Sequence, residues 1–471
     1  TFNNIKPYQK IIEKAEIHNS KNEYELEEEC YLQIYKIYKN NYKILNKLLD
    51  FQILKENWEF SIKTALILKR LNPNDKIDIN IAKLYIKNKN YEEANRLLLK
   101  LINNNNYKVF ETLGTLNYKK QQLIEAINYF KKALEIEPQS FFSSIQLGNI
   151  LKYKGDYKEA EKYYKISNKI EKNNSISLSN LISLQISLSE QYDKISPLLL
   201  EASKVTIEEQ INNIKIKKGI LGYKLRHKYQ QACYMNELYK ENKERKKFIE
   251  MIEKKDKKEL KNKFIFLNSE EEIILTKYMK YKNTYAPKEK ISNFINKNIE
   301  WDKIENSYKK SNPKVVVIDD FLEKEVLEEL RNFSLESSIW HKDYQNRNYI
   351  GSIPGDGNYS KIHHGIIEDL KKNLPNVLNK MNFEQMWAFN YDSEMHKGIA
   401  AHADFAMVNL NFWITPNQFN LSKNSSGLKI YNKSVPDSWS FKDYNSESNH
   451  LINNYLGKEK ENFIKIPYKY N

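Results

Sequence analysis

The sequence predicts a multidomain fold: an α-solenoid of stacked helix pairs, followed by an α+β domain built on a double-stranded β-helix, or jelly-roll. Three observations predict it. Small and apolar residues recur in the first half with a period near 34. Residues 205–312 keep a helical pattern but lose that period. From residue 314 onward come a β-branched run, two helices and several short alternating segments. The boundaries that follow are 1–204 for the solenoid, 205–312 for a basic helical linker region and 313–471 for the jelly-roll domain.

The solenoid rests on the segment 110–138, FETLGTLNYKKQQLIEAINYFKKALEIEP, with Leu113, Gly114, Ala126, Phe130, Ala133 and Pro138 at small or apolar positions. Leu147 and Gly148 repeat Leu113 and Gly114, and Ala160 and Tyr164 repeat Ala126 and Phe130. Upstream, Ala82, Tyr85, Ala94 and Leu98 keep the same internal spacing, and Pro73 closes a weaker copy holding Ala65 and Leu68. The Asn run at 103–106 reads as a loop between helices. The pattern resembles the tetratricopeptide repeat. One helix pair cannot bury its apolar face alone, so about four or five units are expected over most of residues 30–200. Such an array implies a groove for a protein or peptide partner; a scaffold or dimer surface is the plainer alternative.

The middle segment carries 26 Lys+Arg against 16 Asp+Glu, whereas residues 313–471 carry 18 against 20. Its charges are interleaved (KENKERKK, EKKDKKELK), as on solvated helix faces, with no aromatic-basic platform. Nucleic acid is therefore not expected as a partner. Two cysteines, Cys30 and Cys233, stand far apart and outside any CxxC context, which fits a reducing, cytoplasmic setting. No apolar run reaches the length of a membrane span, and TFNNIKPYQK holds no signal-peptide core. It also lacks an initiator Met, which weakens that exclusion. The Asn312-Pro313 pair marks the next boundary.

Beyond it, Val315, Val316, Val317 and Ile318 form a short β-branched strand pattern, and FLEKEVLEELRNF reads as an amphipathic helix. A loop (GSIPGDGNYS) and a helix over about 362–378 lead to three strand-like segments: EQMWAFNYD, AHADFAMVNLNFWITP and SGLKIYN. Residues two apart on a strand share a face. His402 and Asp404 then point together, with Ala403 and Phe405 opposite, and supply two corners of a 2-His-1-carboxylate triad, which leaves Fe(II) positions open. Asn409, Asn411 and Trp413 share one face further along.

VVVIDDFLEKEVLEELRNF and the stretch from FNYDSEMHKG to SFKDYN resemble prolyl 4-hydroxylase-like Fe(II)/2-oxoglutarate oxygenases joined to tetratricopeptide repeats. The resemblance covers about residues 313–471. It implies His402 and Asp404 as the first two iron ligands, and Tyr391 and Asn411 as contacts to 2-oxoglutarate, a small-molecule co-substrate used with O₂. No further catalytic residue is assigned. His396 reads as a solvent-exposed loop residue, and Trp387 and Trp413 as core.

The triad needs a second His, and the co-substrate a cation. After Asp404 the only His is His450, in a capped-helix pattern, and no Arg follows Arg347. In the family, a stretch like IKIPYKYN leads into the strand bearing the distal His and Arg. The expectation is a chain truncated at its C-terminus, its barrel open-edged and inactive as it stands. The alternative is a non-catalytic scaffold with a degenerate oxygenase domain.

Overall fold

The computed structural model describes residues 7–20, 24–37, 39–172, 174–239, 242–281, 283–288, 291–344, 349–378, 380–391, 401–404, 406–420, 426–439, 441–445, 450–457 and 462–471. The chain divides into two compact units, Thr1–Lys172 and Asn173–Asn471.

The first unit is helical: α1 (Pro7–Ser20), α2 (Tyr24–Ile37), α3 (Tyr42–Leu54), α4 (Trp58–Leu71), α5 (Asp75–Lys87), α6 (Tyr91–Leu99), α7 (Tyr107–Lys119), α8 (Leu123–Ile136), α9 (Phe141–Tyr153) and α10 (Tyr157–Ile170). Each packs on its neighbour in the chain. Local chemistry sets where each pair starts and turns. Asn41, Asn74, Asn106 and Ser140 cap α3, α5, α7 and α9, their side-chain oxygens accepting an amide N–H of the first turn. Between the two helices of each pair, Glu56, Lys89, Gln121 and Gly155 take up positive φ and reverse the chain. In α8, Ala126, Ile127, Phe130 and Ala133 form the buried stripe, spaced as one helix face requires. Burying Phe130 contributes about 1.5–3 kcal/mol. Gly114 lets the Phe130 ring lie against the α7 backbone, and Gly148 does the same for Tyr164 over α9.

The second unit opens with α11 (Ser175–Ser187) and α12 (Tyr192–Lys217), which carry the same signals: Asn174 caps α11 and Ser189 takes positive φ before α12. The repeat chemistry therefore appears in five successive helix pairs. β1 (Gly219–Leu221), α13 (Gly222–Leu238), α14 (Lys243–Glu253), β2 (Phe264–Phe266) and α15 (Ser269–Lys280) follow. β1 and β2 pair antiparallel with Ile220 opposite Ile265, and Phe248 stacks on Tyr278 at 4.4 Å within their common core.

α16 (Trp301–Lys310), α17 (Lys324–Glu336), β3 (Lys342–Tyr344), β4 (Tyr349–Ser352), α18 (Lys361–Asn373), β5 (Ala388–Tyr391), β6 (Gly427–Tyr431) and β7 (Phe463–Pro467) complete the elements that matter here. α17 and α18 share a core of Val326, Leu330, Ile362, Ile366 and Leu370. β3, β4 and β5 form an antiparallel sheet, and β6 pairs with β7. Helices at 324–336 and 361–373 and strands within the 384–392 and 426–432 segments agree with the sequence pattern.

Two expectations fail among the described residues. Val315 to Ile318 pair with no strand, and the alternating stretch from His402 to Ile414 runs as irregular backbone. Its polar groups bond to scattered loops: the Ala403 N–H donates to the Tyr444 carbonyl at 3.2 Å, the Asn471 N–H to the Trp413 carbonyl at 3.1 Å, and the Thr415 N–H to Tyr468 Oη at 3.1 Å. No ladder forms, and Met407, Leu410 and Phe412 are exposed rather than buried between sheets. The described strands make sheets of two, three and two strands, and no jelly-roll is shown among them. No described helix is long and apolar enough to cross a membrane.

Candidate functional site

His402 and Asp404 approach each other although no strand carries them: His402 Nε2 lies 3.4 Å from Asp404 Oδ1. The Asn409 side-chain amide donates to Asp404 Oδ2 at 2.9 Å, and the Asn445 amide holds the intervening Ala403 carbonyl at 2.7 Å. Two ligands at right angles on an octahedral ion, with bonds of about 2.1 Å, stand about 3 Å apart. The pair suits two adjacent positions. Among the described residues, however, no group of three His, Cys, Asp or Glu side chains gathers around a common point. The donor set is one short of the triad. His450 starts a short helix, His450–Leu456, and the residues read as its cap lie outside the described residues. His396 and Arg347 fall outside the described residues.

Tyr391 is placed by a different set of contacts. It faces Tyr349 across the β4–β5 ladder, ring centroids 5.2 Å apart, and lines a cavity of about 10 Å³ with Tyr223, His227 and Asn390. Asn411 is exposed and makes no hydrogen bond among the described residues. Trp387, read as core, is exposed; Trp413 stacks on Tyr468 at 5.1 Å.

A second cluster escaped sequence reasoning. On α13, Tyr223, Lys224, His227, Lys228 and Gln231 repeat at helical spacing along one side. The segment 338–343 packs against them. Lys224 Nζ donates to the His341 carbonyl at 3.1 Å and pairs with Asp343 at 3.7 Å, and the Tyr223 hydroxyl donates to the same carboxylate. Lys342 pairs with Asp356 at 3.5 Å. His341 Nε2 meets the Ser338 carbonyl at 2.9 Å, and the His227 ring stands edge-on to Trp340. A cavity of about 30 Å³ opens among His227, Lys228, Gln231, Tyr278, Trp340 and His341.

Burial dominates the electrostatics here. It pushes His227 down to about 3, helped by the Lys228 charge, and Lys228 down to about 8, helped by Lys224. His341 is likewise held well below the ordinary imidazole range by burial and then by Lys228. Asp356 is raised to about 6 by burial, against the pull of Lys342. The one local signal was a histidine flanked by lysines on an amphipathic helix. Its partners lie more than a hundred residues away in sequence, which no spacing rule reaches.

The fold defines a class first: an array of helix pairs with repeated caps, turns and small-residue crossings. Residues 107–140 and 143–174 match the tetratricopeptide repeat, and the chain carries these repeats. Among solved structures the chain is similar to a crystal structure of MamA, at 16% identity and a TM-score of 0.30, over 35% of this chain and 95% of that one. It is also similar to Pseudomonas aeruginosa pilF, at 17% and 0.33, over 42% of this chain and 91% of that one. Yeast Tom70 is similar at 14% and 0.36, over 45% of this chain and 46% of that one. No curated protein matches the sequence.

Proposed function

We propose that the protein is an interaction scaffold whose tetratricopeptide repeats bind a protein or peptide partner. The observation that carries this reading is the run of helix pairs with matching caps and turns, two of which match the family outright. A stacked array buries a continuous core and leaves an extended surface, the usual use of a solenoid. Selection of peptides from a random display library against the whole chain, followed by hydrogen exchange with and without a selected peptide, tests it. Protection within α3 to α12 is expected. Failure to select any binder, or protection confined to residues 218–471, overturns it.

A second reading is favoured by one observation, the 3.4 Å approach of His402 to Asp404. Together with the resemblance of residues 313–471, it supports a 2-oxoglutarate-dependent Fe(II) oxygenase of jelly-roll type. His402 and Asp404 would hold the ion, and Tyr391 and Asn411 would contact the co-substrate. Iron would supply the oxygen chemistry; the chain's part would be to hold and orient. Titration with Co(II), read by visible absorption, tests the ligand assignment: a signal lost in His402→Ala and in Asp404→Ala supports it, and no signal in the unaltered chain removes it.

A further inference from the structure

Counting charges around α13 leaves one lysine over. Lys224 is matched by Asp343 and Lys342 by Asp356. Lys228 has no carboxylate partner among the described residues, and it lines the 30 Å³ cavity. His227, which lines this cavity and the smaller one beside Tyr391, has its Nε2 buried with no hydrogen-bond partner. A buried imidazole nitrogen without a partner is costly, and the Lys228 ammonium lining the same cavity has no carboxylate to offset its charge. Ile207, Met279 and Trp340 close the other walls, and exposed Tyr281 stands where the cavity meets solvent.

We propose that this cavity binds a single carboxylate group, with Lys228 Nζ as its counter-ion and His227, protonated on Nε2, as its second donor. The cavity is small: a water needs about 10–15 Å³ of such space, so about 30 Å³ leaves room for a group the size of a carboxylate. The apolar walls favour a group that carries one charge on a small carbon body. A bound anion would restore to Lys228, lowered to about 8 by burial and by Lys224, its preference for the charged form. The other titratable groups lining the cavity are Tyr278, Tyr281 and His341, and none of them is a carboxylate.

Thermal unfolding of the full chain, with sodium acetate replacing sodium chloride at constant ionic strength, provides the test. At pH 7 the transition is expected to rise with acetate concentration, as for any ligand of the folded state. The rise should vanish in Lys228→Met and, for the unaltered chain, at pH 10. Lys228→Met itself, which removes an unpaired charge, should unfold no earlier than the unaltered chain in chloride. N-acetylglycine separates the two sources of a carboxylate. If it stabilises as acetate does, the site accepts a chain terminus; if acetate alone does, the ligand is a free small acid. Equal stability in acetate and chloride overturns the proposal. So does an acetate effect that survives at pH 10, an arm that needs no variant to fold.

Discussion

The ring of Tyr164 lies directly on the backbone of Gly148: a Cβ added there would meet Tyr164 Cε1 at 2.4 Å, while the tyrosine hydroxyl donates to Asn149 at 2.8 Å. The contact joins α9 to α10 and fixes how closely they cross.

Gly148→Ala sets two effects against each other. Ala in a helix interior gains about 0.5–1 kcal/mol over Gly. Overpacking against a buried ring that is also hydrogen-bonded costs about 1–3 kcal/mol. Net destabilisation is expected, and it should exceed that of Gly114→Ala, where the clash with Phe130 is milder at 2.9 Å. Urea midpoints of the two variants decide it; Gly114→Ala being the worse would refute the packing account.

The inter-helix turns predict the opposite sign. Gln121 holds φ at 61° where the next repeat uses Gly155 at 82°. A side chain in that region costs about 1–2 kcal/mol, and Gly returns about 0.4–1 kcal/mol of that through the unfolded chain. Gln121→Gly should stabilise by roughly 0.5–1 kcal/mol. Gly155→Gln, with nothing within 4 Å of the new Cβ, should lose a similar amount through backbone strain alone. Calorimetry of both variants checks the pair.

The repeats were legible in the sequence because a fixed period places the same residue types at the same helix crossing, as Gly114 and Gly148 show. Helices such as α17 were legible because their apolar stripe is local. The run from His402 to Ile414 was misread because alternation records only side chains; whether a ladder forms depends on which partner strands lie alongside. The cluster around Lys224 and Asp343 was invisible for a related reason, since both ends of the contact look like ordinary charged surface until α13 and β3 are packed together.

Lys224→Met should cost about 1–3 kcal/mol. Removing one partner of a buried ion pair costs about 3–5 kcal/mol, but Asp343 is 27% exposed and keeps the Tyr223 hydroxyl, which reduces the loss. Equilibrium unfolding in urea measures it. A loss that stays the same when Asp343→Asn is added would show that the pair itself contributes nothing.

Acid should destabilise the second unit below pH 6.5. His363 Nδ1 accepts the Ser360 N–H at 3.1 Å, and burial lowers its pKa to about 4. His227 and His341 are lowered as well. All three stay neutral when folded, so the unfolded chain takes up protons first and stability falls as pH drops from 6.5 toward 4. Asp356, raised to about 6, protonates first in the folded chain and returns part of that loss below pH 6. Three imidazoles outweigh one carboxyl. Urea midpoints at pH 7 and pH 5 should differ, and His363→Gln should narrow the difference; identical midpoints for the unaltered chain would end the argument.

The recurrence of a capping residue at Asn41, Asn74, Asn106, Ser140 and Asn174, each with its own reversing residue further on, has a consequence for how such a gene changes length. Because every module brings its own punctuation, an in-frame duplication or excision of one module leaves its neighbours' helices starting and stopping where they did before. The array can be lengthened or shortened by whole units without rewriting what remains.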